Sequence, residues 1–366
     1  CSLFAPRETP AASVTPLPGQ VAANPAVAGS SQPAEPQTEQ KTTQAPSATY
    51  TAPTALPMPD ISGLPSLDAL SPGWNQIDPG GSTTCARGGA YSFFVRKTSS
   101  DKLLIYFEGG GSCYNAATCR DGANTFDASI DTAFDADNPA LKYGGVFGLD
   151  NPSNPFKDYN IVFINYCTGD GYMGSRVVEY QGDDGAFQVN HMGFTNTQTV
   201  LQWTYQNFTQ PKSLFMIGCS AGVIGSYIHA PFVLEHYKNI PATLVGDSGG
   251  GYLDGPISLI QPYGILDQFP AWIPQYADLR SSEFLRSSSL FIIPATTYPD
   301  ARFALLDTTD DAPQSKLIAR FDKSLTLPQV VDRNLAEIQS GAPNFYRYTG
   351  PGDYHCITMN PVFYEY

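Results

Sequence analysis

Residues 212–237 read KSLFMIGCSAGVIGSYIHAPFVLEHY, and the reading of this stretch decides the fold. Leu214, Phe215, Met216 and Ile217 make a short run of large apolar side chains, the pattern of a strand buried on both faces. Gly218-Cys219-Ser220-Ala221-Gly222 follows as G-x-S-x-G, and residues 221–237 then read as a helix. A strand that turns this sharply into a helix holds the central Ser in a strained backbone conformation, and small neighbours let the chain pass without clashing. The hydroxyl stands clear at the end of the sheet. The helix N-terminus brings N–H groups to the point where an oxyanion would form. Ser220 is therefore the predicted nucleophile. Pro231 is expected to kink or break the helix, because it removes a hydrogen-bond donor from its interior.

On either side, β-rich runs alternate with longer mixed segments. Residues 90–96 (AYSFFVR), 103–108 (LLIYFE), 161–165 (IVFIN), 243–245 and 289–294 (SLFIIP) are predicted strands, and 195–207 is a predicted helix. Folding is expected to begin near Gly73-Trp74. Gly- and Asp-rich stretches near 120–155 and 168–192 are expected to be loops over the active-site end. Strand and helix in alternation predict an α/β protein, with a mostly parallel central sheet flanked by helices, and the elbow narrows this to an α/β-hydrolase fold.

A second glycine cluster, Phe107-Glu108-Gly109-Gly110-Gly111, closes the strand at 103–108. In esterases such a turn donates one oxyanion N–H and the residue after the nucleophile donates the other. Gly110, Gly111 and Ala221 are the candidates, with the choice between the two glycines open. No Lys-Ser or Lys-Thr follows the cluster, which argues against a phosphate loop. The base is expected to be a His, and the chain has only four: His191, His229, His236 and His355. The chain order of this fold is nucleophile, acid, His, and His355 alone meets it comfortably. The acid should follow a late strand. Residues 289–294 are the best late strand, so Asp307, Asp310 and Asp311 beyond it are candidates, with Asp247 an outside one. Pattern alone does not choose among them.

The chain has 366 residues and a net charge of −14, with no run of Lys and Arg, which argues against nucleic acid or an anionic surface as the main partner. No stretch is apolar enough to span a membrane. The sequence begins Cys1-Ser2-Leu3 and continues into a segment to about residue 60 that is rich in Ala, Pro, Thr, Gln and Ser. That composition cannot offset its ordering entropy, so residues 1–60 are expected to be a disordered tether and 61–366 the catalytic domain. A leading Cys ahead of such a tether resembles a mature bacterial lipoprotein, in which Cys1 carries lipid and holds the protein on the extracytoplasmic side of the envelope.

Together these motifs resemble the pectin acetylesterase and Notum family of carboxylesterases, over residues 74–356. The resemblance is carried by Cys85, the run Leu104 to Cys113, Phe163-Ile164-Asn165-Tyr166-Cys167 with Asp170, the G-x-S-x-G, Asp247-Ser248-Gly249, and His355-Cys356. In this family the acid stands in a D-x-x-Q context. Asp311-Ala312-Pro313-Gln314 matches it, which favours Asp311 with Asp310 as the near alternative. Relatives often carry Trp where Ser112 stands, a departure that bears on the shape of the substrate pocket, and Gly where Val223 stands, a departure expected to affect packing alone.

With Cys1 set aside, six cysteines remain in a chain that reads as exported, where disulfides persist. Cys113 and Cys119 flank a short loop. The resemblance implies that Cys85 pairs with Cys167, which leaves Cys219 with Cys356, beside the nucleophile and the base. That pair resembles the Cys-Ser and His-Cys arrangement of feruloyl esterases and tannases. The expected activity is hydrolysis of acyl esters, acetyl groups on a polysaccharide in particular, by a monomer without metal or organic cofactor. A feruloyl-type or polyester hydrolase is the alternative. A catalytically inactive surface-binding protein on the same fold is a second.

Overall fold

The computed structural model describes residues 60–131 and 134–366. The expected tether and the lipidation of Cys1 lie outside these residues. Eight strands form the central sheet: β1 (Gly73–Ile77), β2 (Phe93–Lys97), β3 (Lys102–Phe107), β4 (Asn160–Ile164), β7 (Ser213–Cys219), β8 (Ala242–Asp247), β11 (Arg302–Thr308) and β12 (Phe345–Gly350). Their spatial order is β1-β2-β4-β3-β7-β8-β11-β12. The six strands from β4 to β12 run parallel, and β1 and β2 close one edge in antiparallel fashion. Two small ribbons lie outside the sheet, β5 (Arg176–Gly182) with β6 (Gly185–His191), and β9 (Gly255–Pro256) with β10 (Phe284–Leu285).

The parallel strands are apolar on both faces because both faces are covered. On β3, Leu103, Ile105 and Phe107 enter one core with helices Gly193–Asn207 and Ala221–His236. Leu104 and Tyr106 enter the other, with Phe147, Phe156, Tyr159 and Phe163. Every parallel strand ends at the same edge, and in such sheets that edge is where ligands bind.

Four sequence expectations are corrected. Residues 289–294 are not a strand: helix Ser289–Thr297 occupies them, with the Phe291 ring packed 4.6 Å from that of Tyr227. A short continuous apolar run fits a buried helix as well as a buried strand. The late strand is β11 instead, so Asp307 lies within it and Asp311 just beyond. Pro231 does not break its helix, which runs unbroken from Ala221 to His236. Nearly all of that helix is buried, and its packing outweighs the lost backbone hydrogen bond. Residues 168–192 are not all loop, since β5 and β6 pair around Asp183-Asp184. Packing also starts ahead of Gly73: Ile61 is buried, and Trp203 Nε1 donates to Pro65 O at 2.8 Å. Among the described residues no helix is long and apolar enough to cross a membrane.

Candidate active site

Ser220 joins β7 to its helix with φ 50° and ψ −121°, a left-handed conformation that a non-glycine residue holds only under constraint. The constraint is visible on both sides. Ser220 N donates to Asp247 O at 2.9 Å, and Ser220 O accepts from Val223 N at 2.8 Å and from Tyr252 Oη at 2.6 Å. The motif's glycines have a steric cause: a Cβ at Gly218 would lie 2.0 Å from Gly222 O, and one at Gly222 would lie 2.2 Å from Phe107 O. The elbow can therefore pack against the end of β3 only with glycine at both positions.

Asp311 caps helix Ala312–Phe321, and its Oδ1 accepts from Gln314 N at 3.0 Å. Oδ2 accepts from Gln314 Nε2 at 3.0 Å and lies 2.7 Å from His355 Nδ1. A carboxylate only accepts, so Nδ1 carries the proton and Nε2 is left to take one from a nucleophile. Asp311 is fully buried, whereas the His355 side chain is one-quarter exposed. Burial alone would raise the Asp311 carboxyl, but His355 and the two Gln314 donors outweigh it and hold it below the usual carboxylate value.

The other acid candidates are engaged elsewhere. Asp310 is exposed and accepts from Thr309 Oγ1 at 2.7 Å. Asp307 is buried and accepts from Gly250 N at 2.9 Å and Gln314 Nε2 at 3.0 Å, and burial pushes its carboxyl up to about 7. Asp247 is buried and accepts from Thr358 N at 2.6 Å. The remaining histidines are remote from the elbow. His191 is buried between Tyr180 Oη and Thr168 O, and His229 between Gln198 Nε2 and Tyr172 O. His236 stacks on Tyr205.

Ser220, Ala221, Gly110, Gly111, Ser248 and His355 all line one cavity of about 600 Å³. Tyr114, Met173, Ile224, Leu259, Tyr263 and Leu290 make much of its wall apolar. Ser220 and His355 share this cavity, and their side chains are not hydrogen-bonded to each other. The three disulfides pair as expected: Cys85–Cys167, Cys113–Cys119 and Cys219–Cys356. The last ties the residue before Ser220 to the residue after His355. Among the described residues only Cys113, Cys119 and His191 have metal-ligand spacing, and a disulfide offers no thiolate.

Glu108 has a role that its place in the sequence does not announce. Glu108 is buried beneath the glycine turn and accepts from Tyr143 Oη at 2.5 Å, Lys142 Nζ at 3.0 Å and Tyr166 N at 3.0 Å. Tyr172 Oη donates to its carbonyl at 2.7 Å, so four residues hold the strand end that leads into Gly109. The signal was an acidic residue at the end of an apolar strand, directly ahead of three glycines.

Residues 78–257 match the family described as Pectinacetylesterase. Pectin acetylesterase 4 of Arabidopsis thaliana is 28% identical over 173 residues, covering 46% of this chain and 41% of that one. A palmitoleoyl-protein carboxylesterase, Notum of Schmidtea mediterranea, is 30% identical over 147 residues, covering 38% of this chain and 26% of that one. The chain thus spans less than half the length of the curated relatives it matches. Among solved structures, the Wnt deacylase Notum from Drosophila superposes with a TM-score of 0.54 at 17% identity, covering 80% of this chain and 87% of that one. That likeness concerns the fold, a mostly parallel sheet flanked by helices of the α/β-hydrolase type. Through residues 78–257, the chain belongs to the pectin acetylesterase and Notum family of carboxylesterases.

Proposed function

We propose that the chain is a serine carboxylic-ester hydrolase that works through an acyl-enzyme. The observation that carries this reading is that Ser220, on its strained elbow, lines the same cavity as a histidine oriented by a buried carboxylate. His355 Nε2 takes the Ser220 proton as Oγ attacks the ester carbonyl. Asp311 stabilises the imidazolium so formed, and the N–H groups of Ala221 and of Gly110 or Gly111 receive the oxyanion. The proton then passes to the departing alcohol. Water, deprotonated by the same imidazole, releases the acid and restores Ser220.

The substrate we favour is an acylated polysaccharide, with acetyl the acyl group, in line with the relatives named as pectin acetylesterases. One observation favours a second reading. A cavity of about 600 Å³ with a largely apolar wall far exceeds an acetyl group, so an aromatic or longer acyl group, as in feruloyl esters or polyesters, also fits. We further propose that the domain works outside the cytoplasm, where its three disulfides persist. Ser220→Ala is expected to abolish p-nitrophenol release from p-nitrophenyl acetate, and retained turnover would end this reading. A panel of acetylated pectin, xylan, feruloyl esters, polyesters and acyl chains of graded length separates the substrate classes.

A further inference from the structure

Asp247-Ser248-Gly249 begins on the last residue of β8 and carries part of the family resemblance, yet the proposed reaction gives Asp247 and Ser248 no task. Both are buried, and their hydrogen bonds go to the two halves of the site. Asp247 O accepts from Ser220 N at 2.9 Å. Asp247 Oδ2 accepts from Thr358 N at 2.6 Å, and Ser248 Oγ accepts from Cys356 N at 2.9 Å. Ser248 N is itself fixed to Leu306 O of β11 at 2.8 Å. One dipeptide thus grips the nucleophile's own backbone and the two main-chain N–H groups that flank the turn after His355. The residue before His355 is held separately, by Thr308 Oγ1 donating to Tyr354 O at 2.7 Å.

Backbone strain is concentrated at the same place. Among the described residues five non-glycines have positive φ, and three of them are Ser220 (50°), Ser248 (63°) and Cys356 (63°). Ser248 and Cys356 are linked directly by a hydrogen bond, and Ser220 is linked to them through adjacent residues, by the Cys219–Cys356 disulfide and the Ser220–Asp247 hydrogen bond. Strained conformers persist only where surrounding contacts over-determine them. A buried carboxylate is also costly unless its hydrogen bonds require it.

We propose that Asp247 and Ser248 are positioning residues that set His355 against Ser220, acting in parallel with the Cys219–Cys356 disulfide. This inference rests on the reading of Ser220 and His355 as nucleophile and base. The clamp fixes the loop by directional bonds to N–H groups, and the disulfide fixes it covalently. Removing either leaves the other. Removing both frees the imidazole, and a misplacement of about 1 Å costs on the order of 100-fold in rate.

The test titrates active sites to completion with a fluorophosphonate and then reads kcat per titrated site on p-nitrophenyl acetate. With the disulfide still in place, Ser248→Ala and Asp247→Ala are expected to lower per-site kcat by about 3- to 10-fold with KM within about twofold. Asp247→Asn, which keeps an oxygen for Thr358 N, is expected to restore most of the rate. In a Cys219→Ala/Cys356→Ala background the loss from Ser248→Ala should exceed its loss in the wild type. If per-site kcat is unchanged and only the number of titratable sites falls, the pair serves folding alone and the inference is overturned. A Ser248→Ala chain with no titratable sites overturns it too. Wild-type protein that takes no label would instead remove the underlying reading of Ser220, which distinguishes the two failures.

Discussion

Replacing Cys219 and Cys356 together by Ala should be the most destabilising way to open one of the three disulfides. A cross-link stabilises chiefly by restricting the unfolded chain, and more so the longer the loop it closes. Cys219 and Cys356 are 137 residues apart, Cys85 and Cys167 are 82 apart, and Cys113 and Cys119 only 6. The chain-entropy relation then gives about 5 kcal/mol for the first pair, somewhat over 4 for the second and about 2 for the third. A domain of about 300 residues unfolds with an entropy near 0.6 kcal/mol/K, so these losses correspond to falls in Tm of about 8, 7 and 3 °C. The assay is thermal unfolding by circular dichroism of the three double-Ala variants at one scan rate, with guanidinium midpoints as a second measure. The reasoning fails if opening the short Cys113–Cys119 loop costs as much as opening the Cys219–Cys356 loop, for then native packing at each bridge, and not chain restriction, sets the loss.

Asp311→Asn should lower kcat by about 10²- to 10⁴-fold, because an amide no longer stabilises the imidazolium, while Asp310→Asn stays within about twofold. Equal losses at the two positions in steady-state assays would refute the assignment. Asp307 should make stability depend on pH in an unusual direction. Burial lifts its carboxyl from 3.8 to about 7, so the folded form binds the proton more tightly than the unfolded chain. Above about pH 7 the buried charge costs on the order of 4 kcal/mol, and the cost disappears as the pH falls through 7 towards 4. His229, whose imidazole burial pushes down to about 4, works in the opposite sense, because the unfolded chain takes the proton first as the pH falls below 6.5. The difference between wild type and Asp307→Asn therefore isolates the effect, and parallel urea-stability curves for the two from about pH 4 to 8 would contradict it. Gly222→Ala should cost at least about 3 kcal/mol or prevent folding, since its Cβ would meet Phe107 O at 2.2 Å, while Gly63→Ala, with nothing within 4 Å, should be neutral. Equal melting temperatures for the two would refute the steric account of the elbow.

The parts of the site that were legible in the sequence are those whose cause is local. The elbow could be read because strand, small-residue turn and helix lie within 26 consecutive residues, 212–237. His355 could be read by elimination, since so few histidines exist and chain order excludes the rest. Asp311 could not be chosen by pattern, because three aspartates share one loop and strand end, and only the D-x-x-Q resemblance favoured it. The structure gives that motif a physical basis, with Gln314 donating to Asp311 through both its backbone and its side chain. The late strand was missed because SLFIIP is more apolar than RFALLDT, and apolarity does not distinguish a helix packed on helices from a strand in a sheet. The β5–β6 ribbon was missed because its alternation is partly exposed and polar. Nothing local announced the role of Asp247 and Ser248, whose partners Thr358 and Cys356 lie more than 100 residues away. Glu108 was likewise visible as a letter and silent as a function, since Lys142, Tyr143 and Tyr166 reach it only through the fold.

The central claim is that Ser220 carries the acyl group. Mixing the protein with p-nitrophenyl acetate, quenching in acid within the first turnover and mapping peptides by mass spectrometry tests it most directly. The account predicts acetyl on Ser220 and no acetylated peptide from Ser220→Ala. Acetyl on another residue, or wild-type turnover by Ser220→Ala, would contradict it.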